Sequence, residues 1–233
     1  MLPKIDTPIF EVKLVSQKQP VKFRPFTVKE EKILLIAEES KDDNDIINAI
    51  LQVINNCCLS DININKLPLF DIEYFFLQLR AKSVSNISVL KFRDKKDQIV
   101  RDFDVDLDQI KPTIDPKHSN TVKLDDTMTV EFKYPSLETV LKIDRNAVDA
   151  DITYLAESLD KIYQGEQTYD ASDSSLEERT DFINSLSKKM FENIIETFID
   201  TMPKLSHTLE YVNKEGDKRK ILLEGYKSFF PRR

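Results

Sequence analysis

Four aspartates occupy every second position from Asp102 to Asp108, in the stretch DFDVDLD. Carboxylates at this spacing are typical of calcium-binding loops of the EF-hand type, which begin D-x-D-x-D. Such a loop also needs glycine at its sixth position and glutamate at its twelfth, where this chain has Leu107 and Thr113. Because the same alternation is the pattern of a half-buried strand, we predict an acidic outer strand face here rather than an ion site.

The soft metal ligands of the chain are few and widely separated. The two cysteines, Cys57 and Cys58, are adjacent, and the two histidines are His118 and His207. A structural zinc site normally takes four ligands in closely spaced pairs, and these residues do not have that spacing. The cysteines continue an apolar helical stripe, so we interpret them as small buried hydrophobic residues. We predict neither a metal site nor a cofactor site.

Catalytic motifs are equally weak in this sequence. The stretch SLSK, from Ser185 to Lys188, fits S-x-x-K, but the companion motifs of that enzyme class do not accompany it. The glutamate pairs at 30–31 and 177–178 fall where helices are predicted to begin, and carboxylates are favoured at that end of the helix dipole. Three glycines are too few for a phosphate-binding loop. No catalytic residue is therefore predicted.

Composition indicates a soluble globular protein that binds neither nucleic acid nor membranes. The 233 residues are 40% hydrophobic and 32% charged, with a formal net charge of −7 at pH 7. A general nucleic-acid binder needs a basic surface, and no apolar run approaches the roughly 20 residues of a membrane span. The first residues lack the apolar core of a signal peptide, and two adjacent cysteines cannot build a disulfide framework. We expect a reducing cytosolic compartment.

Three helices are predicted in the N-terminal third of the chain. Thr27 and Glu30 match a capping box, which indicates a helix start, and this helix is expected to end near Ser40. A second helix follows the stretch DDND and has an apolar stripe at helical spacing over residues 46–57. A third is predicted over about 71–82, after which the apolar period changes to that of a strand.

Strand-type alternation dominates residues 85–134. Two hairpins are predicted there, one pairing NISVLKF with IVRDFDVDL and the other pairing NTVKL with MTVEFKY. Two short strands are also predicted within 9–24, a short strand is predicted at 167–171, and a C-terminal hairpin is predicted to turn at 214–217.

These elements predict an α+β fold. A mainly helical body, with short strands at both ends, is assigned to residues 1–84 and 135–233. A small antiparallel sheet is predicted as an insertion at residues 85–134, and the C-terminal β-hairpin closes the body. Later helices are predicted over about 148–164 and in a segment that ends at Pro203.

The stretch KKMFENIIETFIDTMP has the strongest apolar face in the chain, from Met190 to Met202. Such a face is usually the core side of an amphipathic helix. Methionine and phenylalanine also adapt well to a partner's surface, so the sequence leaves both core and interface open for this helix. The C-terminal stretch KSFFPRR likewise fits either a disordered tail or a docking peptide.

Three stretches together resemble one protein family. They are FRPFTVKEEKILLIAEES near the N-terminus, LPLFDIEYFFLQLRAKSVSNISVLKF in the middle, and VEFKYPSLETV after the strand-rich region. In this order and spacing they are similar to the baseplate hub assembly proteins of T4-like contractile-tailed bacteriophages. The resemblance covers roughly residues 20–145.

The resemblance implies a non-enzymatic role in building the central hub of the phage baseplate, as a hub subunit or as an assembly chaperone. The implied partners are other phage baseplate hub or tail proteins. The implied location is the host cytoplasm during assembly and, for a hub subunit, the tail baseplate of the virion. The alternative is a hub-associated peptidoglycan-degrading enzyme or peptidase, because phage baseplates often carry wall-degrading activity.

Candidate partner-binding residues come from these stretches and from the apolar C-terminal segments. They are Arg24, Phe26, Arg80, Lys82, Ser83, Tyr134, Phe191, Phe198, Phe229 and Phe230. The joint RAKSVSN allows two interpretations. It is either a local seam, in which Arg80 pairs with Asp71 or Glu73 and Ser83 satisfies the helix end, or part of a recognition surface shared with the stretch RPF at 24–26.

Overall fold

The computed structural model describes residues 5–144 and 147–230. Two compact units are formed by these residues. Unit 1 comprises residues 5–64, 69–113 and 204–230, and unit 2 comprises residues 65–68, 114–144 and 147–203. The fold is of the α+β class, as predicted, with its strands in small antiparallel sheets.

The helices begin where the sequence supplies capping side chains. Glu30 accepts hydrogen bonds from the Thr27 N–H and O–H groups, and Asp42 accepts from two free N–H groups of the second helix. The helices are α1 (Val28–Ser40), α2 (Asp43–Cys57), α3 (Leu69–Ser83), α4 (Leu137–Lys142), α5 (Ala150–Ser158), α6 (Leu176–Ser185) and α7 (Lys188–Ile194), the last continued by a π-helical segment (Ile195–Ile199).

Within the described residues, the strands pair in four small sheets. They are β1 (Phe10–Val12), β2 (Val21–Phe23), β3 (Ile87–Arg93), β4 (Val100–Asp106), β5 (Pro112–Thr113), β6 (Thr121–Lys123), β7 (Met128–Phe132), β8 (Leu159–Gln164), β9 (Gln167–Asp170), β10 (Lys204–Val212) and β11 (Lys218–Glu224). In unit 1, β1 pairs with β2, β3 pairs with β4, and β10 lies between β11 and β5. The predicted C-terminal hairpin is therefore confirmed as β10 and β11.

Helix α3 is the central element of unit 1. Most of its residues are buried, and Phe75, Leu77 and Leu79 have no exposed surface. The two long hairpins of this unit contact each other through aromatic side chains, because Phe103 of β4 and Tyr211 of β10 have ring centroids 5.3 Å apart. Unit 1 thus packs a long buried helix together with hairpins from distant parts of the sequence.

Unit 2 is built on a four-stranded antiparallel sheet in the order β6, β7, β8, β9. Its hydrophobic core includes Val130 and Phe132 from β7, Leu155 from α5, Ile194 from α7 and Phe198 from the π-helical segment. These side chains come from segments before β8 and after β9 in the sequence, so the core is complete only when the sheet and the later helices pack together.

Two predictions on residues 85–164 are wrong. The strands of residues 85–134 do not form one inserted sheet, because β3 and β4 belong to unit 1 whereas β6 and β7 join β8 and β9 in unit 2. The helix predicted over 148–164 ends at Ser158, and the chain continues as β8. Pairing with β7, in which Ile162 lies opposite Val130, outweighs the helical spacing of that stretch.

The predicted helix up to Pro203 is also interrupted. Helix α6 ends at Ser185, and α7 starts after Ser187, whose Oγ accepts the Met190 N–H at 3.4 Å. A serine that can cap a new helix favours this break, because the cap satisfies an N–H group that has no partner in the first turn.

Candidate functional site

The stretches RPF and RAKS meet at the C-terminal end of α3 in unit 1. The Ser83 O–H donates to the Leu79 carbonyl at 2.6 Å, and the Phe26 N–H donates to Ser83 Oγ at 2.9 Å. The expected role of Ser83 at the helix end is therefore confirmed, and the two stretches are adjacent in space. We call Arg24, Phe26, Arg80, Lys82, Ser83 and Phe230 the α3-end surface.

Arg24 is fixed in the α3-end surface by an ion pair with a buried carboxylate. Its guanidinium lies 3.0 Å from Glu30 Oε1 and also donates to the Asn56 carbonyl at 3.1 Å. Burial would raise the pKa of Glu30, but hydrogen bonds from Arg24 and Thr27 outweigh burial and lower this pKa to about 2. Glu30 stays ionised and holds Arg24 in place at neutral pH.

Arg80 lies over an aromatic ring from the C-terminal segment. The Arg80 Cζ is 4.5 Å from the centre of the Phe230 ring, a cation–π distance. The Phe230 ring in turn packs edge-on against Phe76 of α3, with centroids 5.9 Å apart. Arg80 and Phe230 are both partly exposed, so this pair presents cationic and apolar surface together.

Lys82 makes a similar cation–π contact with an aromatic ring of the N-terminal segment. Its Nζ is 2.7 Å from Asp108 Oδ1 and 5.7 Å from the centre of the Phe10 ring. Phe10 also contacts Phe23 of β2, with ring centroids 5.9 Å apart. Partly exposed arginine and aromatic side chains are the residue types that dominate binding energy in protein interfaces, and the cations can form ion pairs with acidic groups of a partner.

Glu73 of α3 supports the turn that leads to Phe230. Its Oε1 accepts the Tyr226 N–H at 3.3 Å. Gly225, the residue before Tyr226, has a backbone φ of +67°. A Cβ at this position would lie 3.0 Å from Glu73 Oε1. Burial raises the pKa of Glu73 to about 7, although the Tyr226 N–H opposes the shift. This carboxyl therefore titrates close to neutral pH.

Glu73 makes the stability of unit 1 depend on pH. Its pKa is about 7 in the folded chain against an ordinary value of 4.5. The neutral carboxyl tolerates burial and the charged one does not, so the contribution of Glu73 to the free energy of unfolding is fully present below about pH 4.5. This contribution is lost as pH rises through about 7. Glu73→Gln keeps a neutral acceptor for the Tyr226 N–H, so we expect its melting temperature to rise relative to wild type between about pH 5 and pH 8. Glu31→Gln, at an exposed glutamate, is the control. If Glu73→Gln changed the melting temperature by the same amount at about pH 5 and at about pH 8, the raised pKa of Glu73 would be contradicted.

The remaining candidate residues lie elsewhere. Phe229 is fully buried in unit 1, where its carbonyl accepts the Ser88 O–H at 2.6 Å. Phe198 is fully buried in unit 2, and Phe191 is partly buried against the same core. At Phe198, the apolar face of the Met190–Met202 stretch therefore packs into the core of unit 2. The Phe198 side chain is not part of an exposed binding surface.

Tyr134, the last candidate, belongs to a hydrogen-bonded chain in unit 2 that sequence reasoning did not predict. The Thr201 O–H donates to the Thr197 carbonyl, so Thr201 Oγ1 accepts the His118 Nδ1–H, at 2.9 Å. His118 Nε2 then accepts the Tyr134 O–H, at 2.7 Å. Burial lowers the pKa of His118, which favours the neutral ring that this pattern of hydrogen bonds requires. The four residues span more than 80 positions, so no local spacing signals their contact.

The acidic residues of β4 and Cys57 have the burial that the sequence predicts, whereas Cys58 does not. Asp102 and Asp104 are exposed on β4, whereas Val105 is buried, as predicted for an acidic outer strand face. Cys57 is buried on α2, and burial raises the pKa of its thiol to about 11. Cys58 follows the end of α2 in an extended conformation and is only partly buried, so its interpretation as a buried residue of the helical stripe is wrong. Within residues 5–144 and 147–230, no group of three or more potential metal ligands is present. No helix of this described part has the length and apolar character needed to cross a membrane.

Comparisons with known proteins identify a family. Residues 7–231 match the profile of the family described as T4 bacteriophage base plate protein. Neither the curated proteins nor the solved structures contain a significant match to the chain. The family match includes the stretches that form the α3-end surface and extends well beyond them into both units. Because it covers nearly the whole chain, the protein belongs to the T4 bacteriophage base plate protein family.

Proposed function

We propose that this protein is a non-enzymatic assembly protein of the baseplate hub, acting as a hub subunit or as an assembly chaperone. The observation that carries the proposal is the convergence of RPF and RAKS, both within the family-like stretches, at the α3-end surface. Arg80 and Lys82 lie there beside Phe230 and Phe10, which gives the surface cationic and aromatic groups suited to protein contacts. Its partners would be other baseplate hub or tail proteins with acidic and apolar surface.

Capture of partners from phage-infected cells tests this proposal. The tagged wild-type chain is expected to retain baseplate hub proteins, identified by mass spectrometry. Arg80→Glu reverses the charge beside Phe230 and should lower their recovery at least tenfold. Arg93→Glu is the matched control, because Arg93 is an exposed arginine on β3 of the same unit. We expect this control to retain the partners, and equal melting temperatures of the two variants would show that both fold.

The composition of the finished particle separates the two forms of the proposal. A hub subunit is expected to be present in purified virions, whereas an assembly chaperone is expected in the infected cell but not in the particle. Recovery of no baseplate protein with the wild-type chain would contradict a hub role. A clearing band in a peptidoglycan zymogram of the purified chain would contradict the non-enzymatic part and favour the wall-degrading alternative.

A further inference from the structure

Helix α1 has apolar side chains on its solvent side as well as on its core side. Ala37 is buried, whereas Val28, Leu35 and Ile36 are 81%, 45% and 59% exposed. At 3.6 residues per turn, the three exposed residues lie within about 100° of arc on the side opposite Ala37. A surface helix normally has polar residues on that side. Leu35 and Ile36 are adjacent, and large apolar side chains exposed together on one side of a surface helix indicate an interaction surface.

Two charged residues share this side of the helix. Lys32 lies toward the N-terminal end of α1 and Glu39 toward its C-terminal end, and both are exposed. In the described part of the chain, neither side chain has an ion-pair or hydrogen-bond partner, so both are available to a second molecule. We call Val28, Lys32, Leu35, Ile36 and Glu39 the outer face of α1.

The outer face of α1 is complementary to itself. Consider two copies of the helix packed antiparallel about a two-fold axis that passes between Leu35 and Ile36. Lys32 and Glu39 are equally far from that axis, so Lys32 of each copy meets Glu39 of the other. Leu35 and Ile36 of the two copies meet at the centre. A two-fold interface requires this kind of self-complementary patch, and the antiparallel arrangement also opposes the two helix dipoles favourably.

We propose that the outer face of α1 binds the same face of a second copy of this chain, with the two helices antiparallel. The 13 residues of α1 make a helix about 20 Å long, so the interface is small and the dimer is reversible. This proposal concerns self-association and does not rest on the proposed hub function.

Charge reversal on the full chain provides the test, followed by sedimentation velocity over a concentration series. In a symmetric dimer, Lys32→Glu places two carboxylates together at both ends of the interface, and Glu39→Lys places two lysines together in the same way. Each variant alone is expected to weaken dimerisation at least tenfold. An equimolar mixture of the two is expected to restore it, because each reversed charge then meets an opposite charge in the other variant. The double variant Lys32→Glu with Glu39→Lys should dimerise as wild type does.

Apolar substitutions supply an independent arm of the test. Ile36→Asp is expected to abolish dimerisation, whereas Leu222→Asp, on β11 of the same unit, is expected to leave it unchanged. Leu222 is a suitable control because it is 62% exposed, close to the exposure of Ile36. Circular dichroism melting of each variant verifies the fold. A wild-type chain that stays monomeric, single charge variants that dimerise like wild type, or a mixture that fails to restore the dimer would overturn the proposal.

Discussion

Phe198→Asp is expected to destabilise unit 2 by at least about 4 kcal/mol. The Phe198 ring is fully buried, stacks on Phe132 with centroids 5.0 Å apart, and lies 5.8 Å from the His118 ring. Loss of a buried phenylalanine side chain costs about 3–5 kcal/mol through lost burial and the cavity left behind. A carboxylate at this position adds the cost of burying an unpaired charge. The total is comparable with the whole stability of a marginal domain, about 5 kcal/mol.

Urea unfolding followed by circular dichroism measures this loss. Tyr169→Asp is the control in the same unit, because Tyr169 is 48% exposed on β9 and should change the free energy of unfolding by less than about 1 kcal/mol. If Phe198→Asp unfolded at the wild-type urea midpoint but lost a bound partner, the residue would lie in an interface. That result would revive the second interpretation of the Met190–Met202 face.

Local patterns in the sequence were sufficient for elements whose signals lie within one or two turns. The Thr27 and Glu30 pair marks the start of α1, and the turn at 214–217 separates β10 from β11. The stretch that becomes β8 has helical spacing, but its structure is decided by pairing with β7 across about 30 residues. Pairing with a strand that far away does not change the spacing of apolar residues within the stretch. The spacing alone therefore predicts a helix.

The candidate site likewise combines contacts that the local sequence predicts with long-range contacts that it does not. Ser83 could be assigned to the helix end because its acceptor, Leu79, lies one turn away on α3. The contact between Arg80 and Phe230 joins residues 150 positions apart, and Lys82 reaches Phe10 across the N-terminal helices. Sequence alone could nominate the arginine and the phenylalanine, but their pairing depends on how the C-terminal segment returns to α3. Long-range side-chain contacts of this type follow from packing rather than from local preference.

Asp71 illustrates a charged residue whose partner lies far away in the sequence. The seam interpretation offered it as a possible partner of Arg80. In the structure its carboxylate is fully buried and accepts the N–H groups of Val15 and Ser16, at 2.8 and 2.9 Å. Burial raises the pKa of Asp71 even though these hydrogen bonds oppose the shift. One side chain of α3 thus holds the segment between β1 and β2 in place.

Asp71→Ala is expected to destabilise unit 1 by about 2–4 kcal/mol, measured by urea unfolding at neutral pH. The substitution removes the acceptor of two backbone N–H groups at once, and each such group left without a partner costs about 1–3 kcal/mol. The estimate stays below the sum of two full penalties because Val15 and Ser16 are only partly buried, so water can reach part of this segment.

Two further variants distinguish the hydrogen bonds of Asp71 from its charge. Asp71→Asn keeps one oxygen acceptor but turns an NH2 group toward the second N–H, so we expect it to lose about half as much stability as Asp71→Ala or more. Asp104→Ala removes an exposed carboxylate from β4 and should change stability by less than about 0.5 kcal/mol. If Asp71→Asn were as stable as wild type, the two backbone hydrogen bonds could not be what holds the segment. The buried carboxylate would then act through its shape and packing against α3.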